Sequence, residues 1–421
     1  MLSVKEKNMN MLPSRSLFSG LVGLLLLSLI GCSAASGGSS LPSSAGDGSQ
    51  DAAPGSEISS PAKEYPPVNP ELLHGVCYVH YLMKNRVTID EVTDLIASLG
   101  AKSVRSWNHS ILFSYDYKTI DKNLTAPYHE LYRVMKEKGV EQIIGMDHFH
   151  YLPDNPGVMT THVPYRDKTP GSDYMVFLES YEAMWKALAA EFPEIDYWEM
   201  GNEMNHDPFL NPIGYTDGSN GVAPFSLMEK ADITTDMMFY ASRGIKAANP
   251  DAVTILPGMA PVDGIYGVMM EHYLERIYQN IESGEYGSTN TDDFFEALAW
   301  HLYANSRPDK DWVEVNQRLY AIAQKHGDDG KKVYLTEVGF PDSGKQEMDE
   351  TQGEWVKEMY RLAAEELPFV ESIHYYRLFN DGAESYGLMQ DPSAGFASKA
   401  KGEAYQQSAG GTGDLNRFAF S

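Results

Sequence analysis

Cysteine is scarce. The 421 residues hold two, Cys32 and Cys77, too few for a disulfide framework or an all-cysteine metal site. Positive charge is also short: 33 Lys and Arg stand against 59 Asp and Glu, a formal net charge of −26. That balance argues against a nucleic-acid partner, which would need a basic face. Neither G-x-G-x-x-G nor G-x-x-x-x-G-K-[ST] occurs, so there is no sequence signature of a phosphate-cradling loop. Sustained apolar runs are rare, and the most prominent, Leu21 to Ile30, is too short to span a bilayer as a mature helix.

What is present begins with an address. Lys5, Lys7 and Arg15 precede the apolar run, and a basic start with a short apolar core reads as a secretory signal over residues 1–31. The run closes on Leu29-Ile30-Gly31-Cys32, which resembles the bacterial lipobox. The resemblance implies that Cys32 becomes a lipidated first residue. Ser33 after it implies the outer membrane, hence a lipid-anchored protein of the bacterial cell envelope. Residues 32–68 are dominated by Ser, Gly, Ala and Pro, the composition of a flexible tether. Cys77 lies in an apolar stretch and reads as a small core residue.

Residues 69–407 alternate between short apolar runs and longer amphipathic stretches, with 408–421 as a tail. Expected strands are Leu73–Val79, Lys102–Trp107, Val140–Met146, Ile195–Gly201, Ala252–Leu256, one within Phe294–Tyr303, Lys332–Val338 and Val370–Leu378. Expected helices are Thr88–Gly100, Tyr128–Lys138, Tyr174–Phe192, Glu229–Ala248, Ile265–Ser283, Trp312–His326, Thr351–Leu367 and a short one near Ser398–Gln406. Eight strand–helix units predict a single-domain α/β fold, a closed (β/α)8 TIM barrel, with its active site at the C-terminal ends of the strands.

Two of those ends carry glutamates. The fourth strand runs into Trp198-Glu199-Met200-Gly201-Asn202-Glu203-Met204-Asn205, and the seventh into Leu335-Thr336-Glu337-Val338-Gly339. Facing carboxyl groups can cleave a glycosidic bond, one protonating the leaving oxygen while the other attacks the anomeric carbon. The division of labour needs one raised pKa and one ionised carboxylate, so their surroundings must differ.

This pattern resembles clan A of the glycoside hydrolases, the retaining "4/7" superfamily, in the flavour of families 5, 39 and 53. By that resemblance Glu203 is the acid/base, Glu337 the nucleophile and Asn202 the partner of the sugar 2-hydroxyl. Arg105 on the second strand matches the arginine that keeps the nucleophile ionised. His301 and Tyr303 end the sixth strand on one face. Tyr303 is the candidate donor to the nucleophile, while His301 either lines the pocket or satisfies a core hydrogen bond. His148, in Asp147-His148-Phe149-His150, is a candidate sugar contact. Trp107 and Tyr81 are candidate stacking platforms. The clan usually ends its eighth strand in a tryptophan; here the chain reads Tyr375-Tyr376-Arg377-Leu378-Phe379, so Tyr376 or Phe379 takes that place. Met204 stands where the clan commonly has proline.

The expected activity is retaining hydrolysis of β-glycosidic bonds in a poly- or oligosaccharide. It calls for no cofactor and no metal. Two rivals remain: a surface lipoprotein that binds glycans without turnover, and a metal-dependent hydrolase using His148 and His150, with His80 as a further ligand. Net acidity favours a neutral β-glucan, xylan or mannan over a polyuronate. The 26 tyrosines exceed what core packing demands and suit sugar subsites. Long inserts at 154–173 and 205–227 would shape the rim.

Overall fold

The computed structural model describes residues 69–418 apart from 79–86, 108, 114–118, 217–219, 263–266, 305 and 382–383. The signal segment, Cys32, the tether, His80 and Tyr81 lie outside the described residues. Eight parallel strands follow in chain order: β1 (Leu73–Tyr78), β2 (Ser103–Trp107), β3 (Gln142–Met146), β4 (Tyr197–Glu199), β5 (Val253–Ile255), β6 (Leu298–Ala299), β7 (Val333–Val338) and β8 (Val370–Tyr375). Hydrogen-bonded pairing runs β6-β7-β8-β1-β2-β3-β4-β5. Parallel bridges Ile255–Ala297 and Met259–Trp300 join β5 to β6 and close the ring. The fold is a (β/α)8 TIM barrel.

Helices follow each strand: α1 (Ile89–Leu99), α2 (Lys122–Glu137), α3 (Asp173–Glu191), α4 (Leu227–Ala248), α5 (Val268–Glu282), α6 (Lys310–Lys325), α7 (Gln346–Glu366) and α8 (Ala400–Ser408). Their starts follow local chemistry. Thr88 caps α1 in a reciprocal box with Glu91, and Ser226 does the same for α4 with Glu229. Two helices begin more than a full turn earlier than the apolar periodicity predicts. Helix α2 starts at Lys122 because Asp121 caps it, and it tolerates Pro127 in its second turn. Helix α7 starts at Gln346 through an acidic, non-periodic first turn. Among the described residues no helix is long and apolar enough to cross a membrane.

The outward faces of the strands pack on the helices. Trp198 meets Trp185 of α3 edge-on, and Trp300 Nε1 donates to Asn316 of α6 at 2.8 Å. The barrel interior is apolar around Ile144, Ile255, Ala297, Ala299 and Tyr334. It then turns polar toward the C-terminal mouth, where Arg105, Glu199, Thr336, His301 and His374 are all fully buried. Cys77 on β1 is buried too, and its thiol donates to the Thr336 carbonyl at 3.2 Å.

The inserts add structure beyond the barrel. Segment His150–Leu152 pairs antiparallel with Asn155–Thr160, and His162–Val163 pairs parallel with Asn211–Pro212. The second pairing ties the loop after β3 to the loop after β4. Arg166 and Lys168 then anchor the first insert to buried Asp236 on α4, which also accepts from Tyr174 and Tyr286.

Candidate active site

Five strand ends, those of β2, β4, β6, β7 and β8, converge on the mouth of the barrel. Arg105 of β2 is the hub, with no exposed surface. Its Nε and Nη2 donate to Glu199 at 2.5 and 3.0 Å, its Nη1 to Glu337 Oε1 at 2.5 Å, and its Nη2 also to Asn202 Oδ1 at 2.8 Å. Burial works against the guanidinium charge, but Glu199 and Glu337 outweigh it and hold Arg105 firmly protonated. Only such paired geometry makes a charge in a barrel interior tolerable.

Glu337 receives a second donor, Tyr303 OH, at 2.8 Å from Oε2. Its presence in the site depends on an irregularity in β7. Leu335 pairs with Ile373 and Val338 with Tyr375, three steps on one strand against two on the other. The extra residue lets consecutive Thr336 and Glu337 both reach inward, which strict alternation would forbid. Thr336 Oγ1 contacts Glu199 and His301, while Glu337 contacts Arg105 and Tyr303.

Glu203 stands differently. The chain leaves β4 through Gly201 and gives Glu203 a left-handed backbone, φ +43°, a conformation costly for a non-glycine residue and typical of functional sites. Its N–H donates to the Gly258 carbonyl at 2.8 Å, pinning the loop to the end of β5. Its Oε1 lies 2.9 Å from His301 Nδ1, and its Oε2 lies 3.8 Å from His206 Nδ1. A side chain at Gly258 would collide with the His301 ring and with Glu199, so glycine is required there.

Glu203, Glu337 and His301 each present one atom within 4.8 Å of the others. The carboxylates therefore sit near the short spacing of double displacement, about 5–5.5 Å, and too close for the water that inverting enzymes place between theirs. This trio is also the grouping with metal-ligand spacing among the described residues, but each member is already engaged by hydrogen bonds. His148 and His150 face apart. His148 packs on Phe149 and Phe209, whereas His150 bonds the His162 carbonyl and packs on Phe177 and Tyr181.

The carboxyl expected to be raised, that of Glu203, is instead lowered, and the raised group beside it is His301. Burial pushes the Glu203 carboxyl up, but the nearby His206 and the hydrogen-bonded His301 outweigh it and hold it at about 2. Glu199 is likewise at about 2, burial being overcome chiefly by the Arg105 charge. For His301 burial is outweighed by Glu337, Glu199 and Glu203, which raise the ring to about 9. His148 is lowered to about 3 by burial and then by Arg105, so it is neutral.

Aromatic rings wall the other side. Trp107 stacks on Tyr376 at 5.6 Å and 18°, and Tyr303, Tyr376 and Tyr386 meet edge-on at 5.4 to 6.2 Å. Of the two candidates for the eighth-strand aromatic, Tyr376 joins this wall. Phe379 is buried against Phe396 instead. The structure thus gathers Glu203, Glu337, Asn202, Arg105, Tyr303, His301, Trp107 and Tyr376 into one site. His148 stands beside it, near enough to sense the charges of Arg105 and Glu203. Sequence reasoning passed over Glu199, Thr336, His206 and Tyr386.

The profile of the cellulase family, glycosyl hydrolase family 5, matches residues 66–368. The chain belongs to glycosyl hydrolase family 5. That decides among families 5, 39 and 53. No curated protein matches the chain. Several solved structures share the fold at low identity. XEG5A, a xyloglucan-specific endo-β-1,4-glucanase of family 5 from a metagenomic library, aligns with TM-score 0.50 at 16% identity, covering 76% of this chain and 88% of its own. The exo-β-1,4-mannosidase Op5Man5 from Opitutaceae bacterium strain TAV5 aligns with TM-score 0.53 at 13% identity, covering 84% and 62%. A GH5_18 protein from Streptomyces cattleya, in complex with GlcNAc, aligns with TM-score 0.52 at 14% identity, covering 80% and 79%. As a family 5 member the protein is a retaining O-glycosyl hydrolase with a carbohydrate substrate.

Proposed function

We propose that this family 5 enzyme cleaves β-linked neutral glycans with Glu337 as nucleophile and Glu203 as acid/base, while anchored to the envelope through Cys32. The observation that carries the assignment is the asymmetry between the two carboxylates. Arg105 and Tyr303 both donate to Glu337, which suits a group that must stay ionised and in place. Glu203 has a titratable partner in His301 instead, which suits a group that must give up and regain a proton.

In the first step Glu337 attacks the anomeric carbon, the glycosidic C–O bond breaks, and the leaving oxygen takes the proton held at Glu203 and His301. A glycosyl ester on Glu337 results. In the second step Glu203 removes a proton from water, the water oxygen attacks the anomeric carbon, and Glu337 departs as a carboxylate. Asn202 is oriented for this work. Arg105 can only donate, so the Asn202 carbonyl faces it and the amide NH2 is left for the sugar 2-hydroxyl. Trp107, Tyr376 and His148 line the sugar pocket.

The β-1,4 bond is the natural linkage to propose, because two fold relatives are named for it, one a glucanase and one a mannosidase. Glucans, xylans and mannans are the substrates to try first. The test is a screen of aryl β-glycosides and neutral polysaccharides, with the anomer released followed by NMR. Release of the β-anomer first supports the reading, and binding without turnover would replace it with a glycan-binding role. Anchoring rests on Leu29-Ile30-Gly31-Cys32. Metabolic labelling with an alkynyl fatty acid should mark the protein in the membrane fraction, and Cys32→Ser should abolish the label.

A further inference from the structure

Glu199 is a charge that the two-step reaction leaves unused. It is fully buried on β4, four residues before Glu203. Its Oε2 accepts from Arg105 Nε, and its Oε1 accepts from Arg105 Nη2, the Gly258 N–H and the Thr336 hydroxyl at 3.0, 3.0 and 3.1 Å. An ionised carboxylate can only accept, so the single hydroxyl proton of Thr336 points at Glu199. Thr336 Oγ1 therefore meets His301 Nε2, 3.0 Å away, with a lone pair. His301 Nε2 must carry hydrogen. One proton then remains to be placed between His301 Nδ1 and Glu203 Oε1.

We propose that Glu199 is a positioning residue for the acid/base step. Through the Thr336 hydroxyl it commits His301 Nε2 to donating, so that His301 Nδ1 and Glu203 Oε1 share a single proton. Its charge helps retain that proton in alkaline solution. The inference rests on Glu203 being the acid/base. When the shared proton passes to the leaving oxygen, Glu203 is left as a carboxylate and His301 as a neutral ring. The attacking water returns one proton to the pair.

The surrounding charges support this arrangement. Facing the pair are Glu337 on β7, 3.7 Å from His301 Nδ1, and Glu199 on β4, 3.7 Å from Nε2. Arg105 on β2 is shared by those two glutamates, so the trio carries one net negative charge. His206 faces Glu203 Oε2 from the loop after β4. His148 just past β3 and His374 on β8 are held neutral by burial and the Arg105 charge. Tyr303 and Tyr386 remain protonated phenols, and Cys77 on β1 a buried thiol. Neutralising Glu199 leaves Arg105 and Glu337 balanced and weakens the hold on the proton.

The test is kcat/KM against pH for the full chain and for Glu199→Gln, Thr336→Val, Thr336→Ser and Glu203→Gln. In Glu199→Gln the alkaline limb should move down by about one pH unit or more, a change that a purely structural role would not produce. Thr336→Val should lose rate at its optimum, and Thr336→Ser, which keeps the hydroxyl, should recover most of it. An unmoved alkaline limb in folded Glu199→Gln overturns the proposal. Should that variant fail to fold, equal rates for Thr336→Val and the parent enzyme overturn it instead. Wild-type hydrolysis by Glu203→Gln would mean that the acid/base assignment itself had failed.

Discussion

On the proposed assignment, the nucleophile side and the acid/base side of the mouth are built on opposite principles. Glu337 lies within a six-residue strand, backed by a buried arginine and a tyrosine hydroxyl. Glu203 lies past the end of a three-residue strand, on a left-handed backbone, against a histidine raised to about 9. In that assignment one side fixes a charge, and the other stores a proton that can move. Both rest on the same buried layer, since Glu199 holds Arg105 on one side and Thr336 and His301 on the other.

The sharpest way to break that contrast is at Glu337. Glu337→Ala should lose about 10⁴-fold or more in kcat, with added azide restoring a product of inverted configuration. Activity unchanged from the parent would remove Glu337 from the mechanism. Glu203→Ala should lose about 10² to 10⁴-fold on substrates with poor leaving groups. With a dinitrophenyl leaving group, which needs no proton, the first step should be largely spared. An equal loss on both substrates would show that Glu203 does not supply the proton.

A smaller effect sharpens the fixed side. Tyr303→Phe removes one hydrogen bond to a charged acceptor, worth about 1.5–3 kcal/mol. The expected loss in kcat/KM is on the order of tenfold to a hundredfold, and a loss below about twofold would mean that Tyr303 does not hold the nucleophile. The smallest effect is on stability. The Glu199 carboxyl is held at about 2, below its ordinary value of 4.5. Its contribution is complete above the unfolded pKa and is lost as pH falls toward 2. Thermal unfolding at pH 5, 4 and 3 should show a steeper fall in Tm for the parent than for Glu199→Gln.

Much of this was legible from the chain. The eight alternations are the eight strand–helix units, because buried parallel strands read as short apolar runs wherever they occur. The starts of α2 and α7 were not, since Lys122-Asn123 and Gln346-Glu347 open them with polar residues that carry no periodicity. At the site, Glu203, Glu337 and Arg105 stood out, and the groups that hold them in place, Glu199 and Thr336, did not. Glu199 and Thr336 sit within apolar runs. The usable signal was that a lone glutamate in Tyr197–Met200 and a lone arginine in Val104–Trp107 would each be too costly to bury alone, and so demanded one another. The irregularity in β7 breaks the alternation that sequence patterns rely on, and Tyr386 lies in a loop without any pattern.

The account stands most directly on where the sugar becomes attached. A 2-deoxy-2-fluoro β-glycoside with an activated leaving group, chosen from the substrate screen, should accumulate as a glycosyl-enzyme that survives proteolysis. Mass spectrometry should place that sugar on the peptide carrying Glu337 and on its carboxyl group. A sugar found on Glu203 or Glu199, or turnover with release of the inverted anomer and no covalent species, would contradict the account.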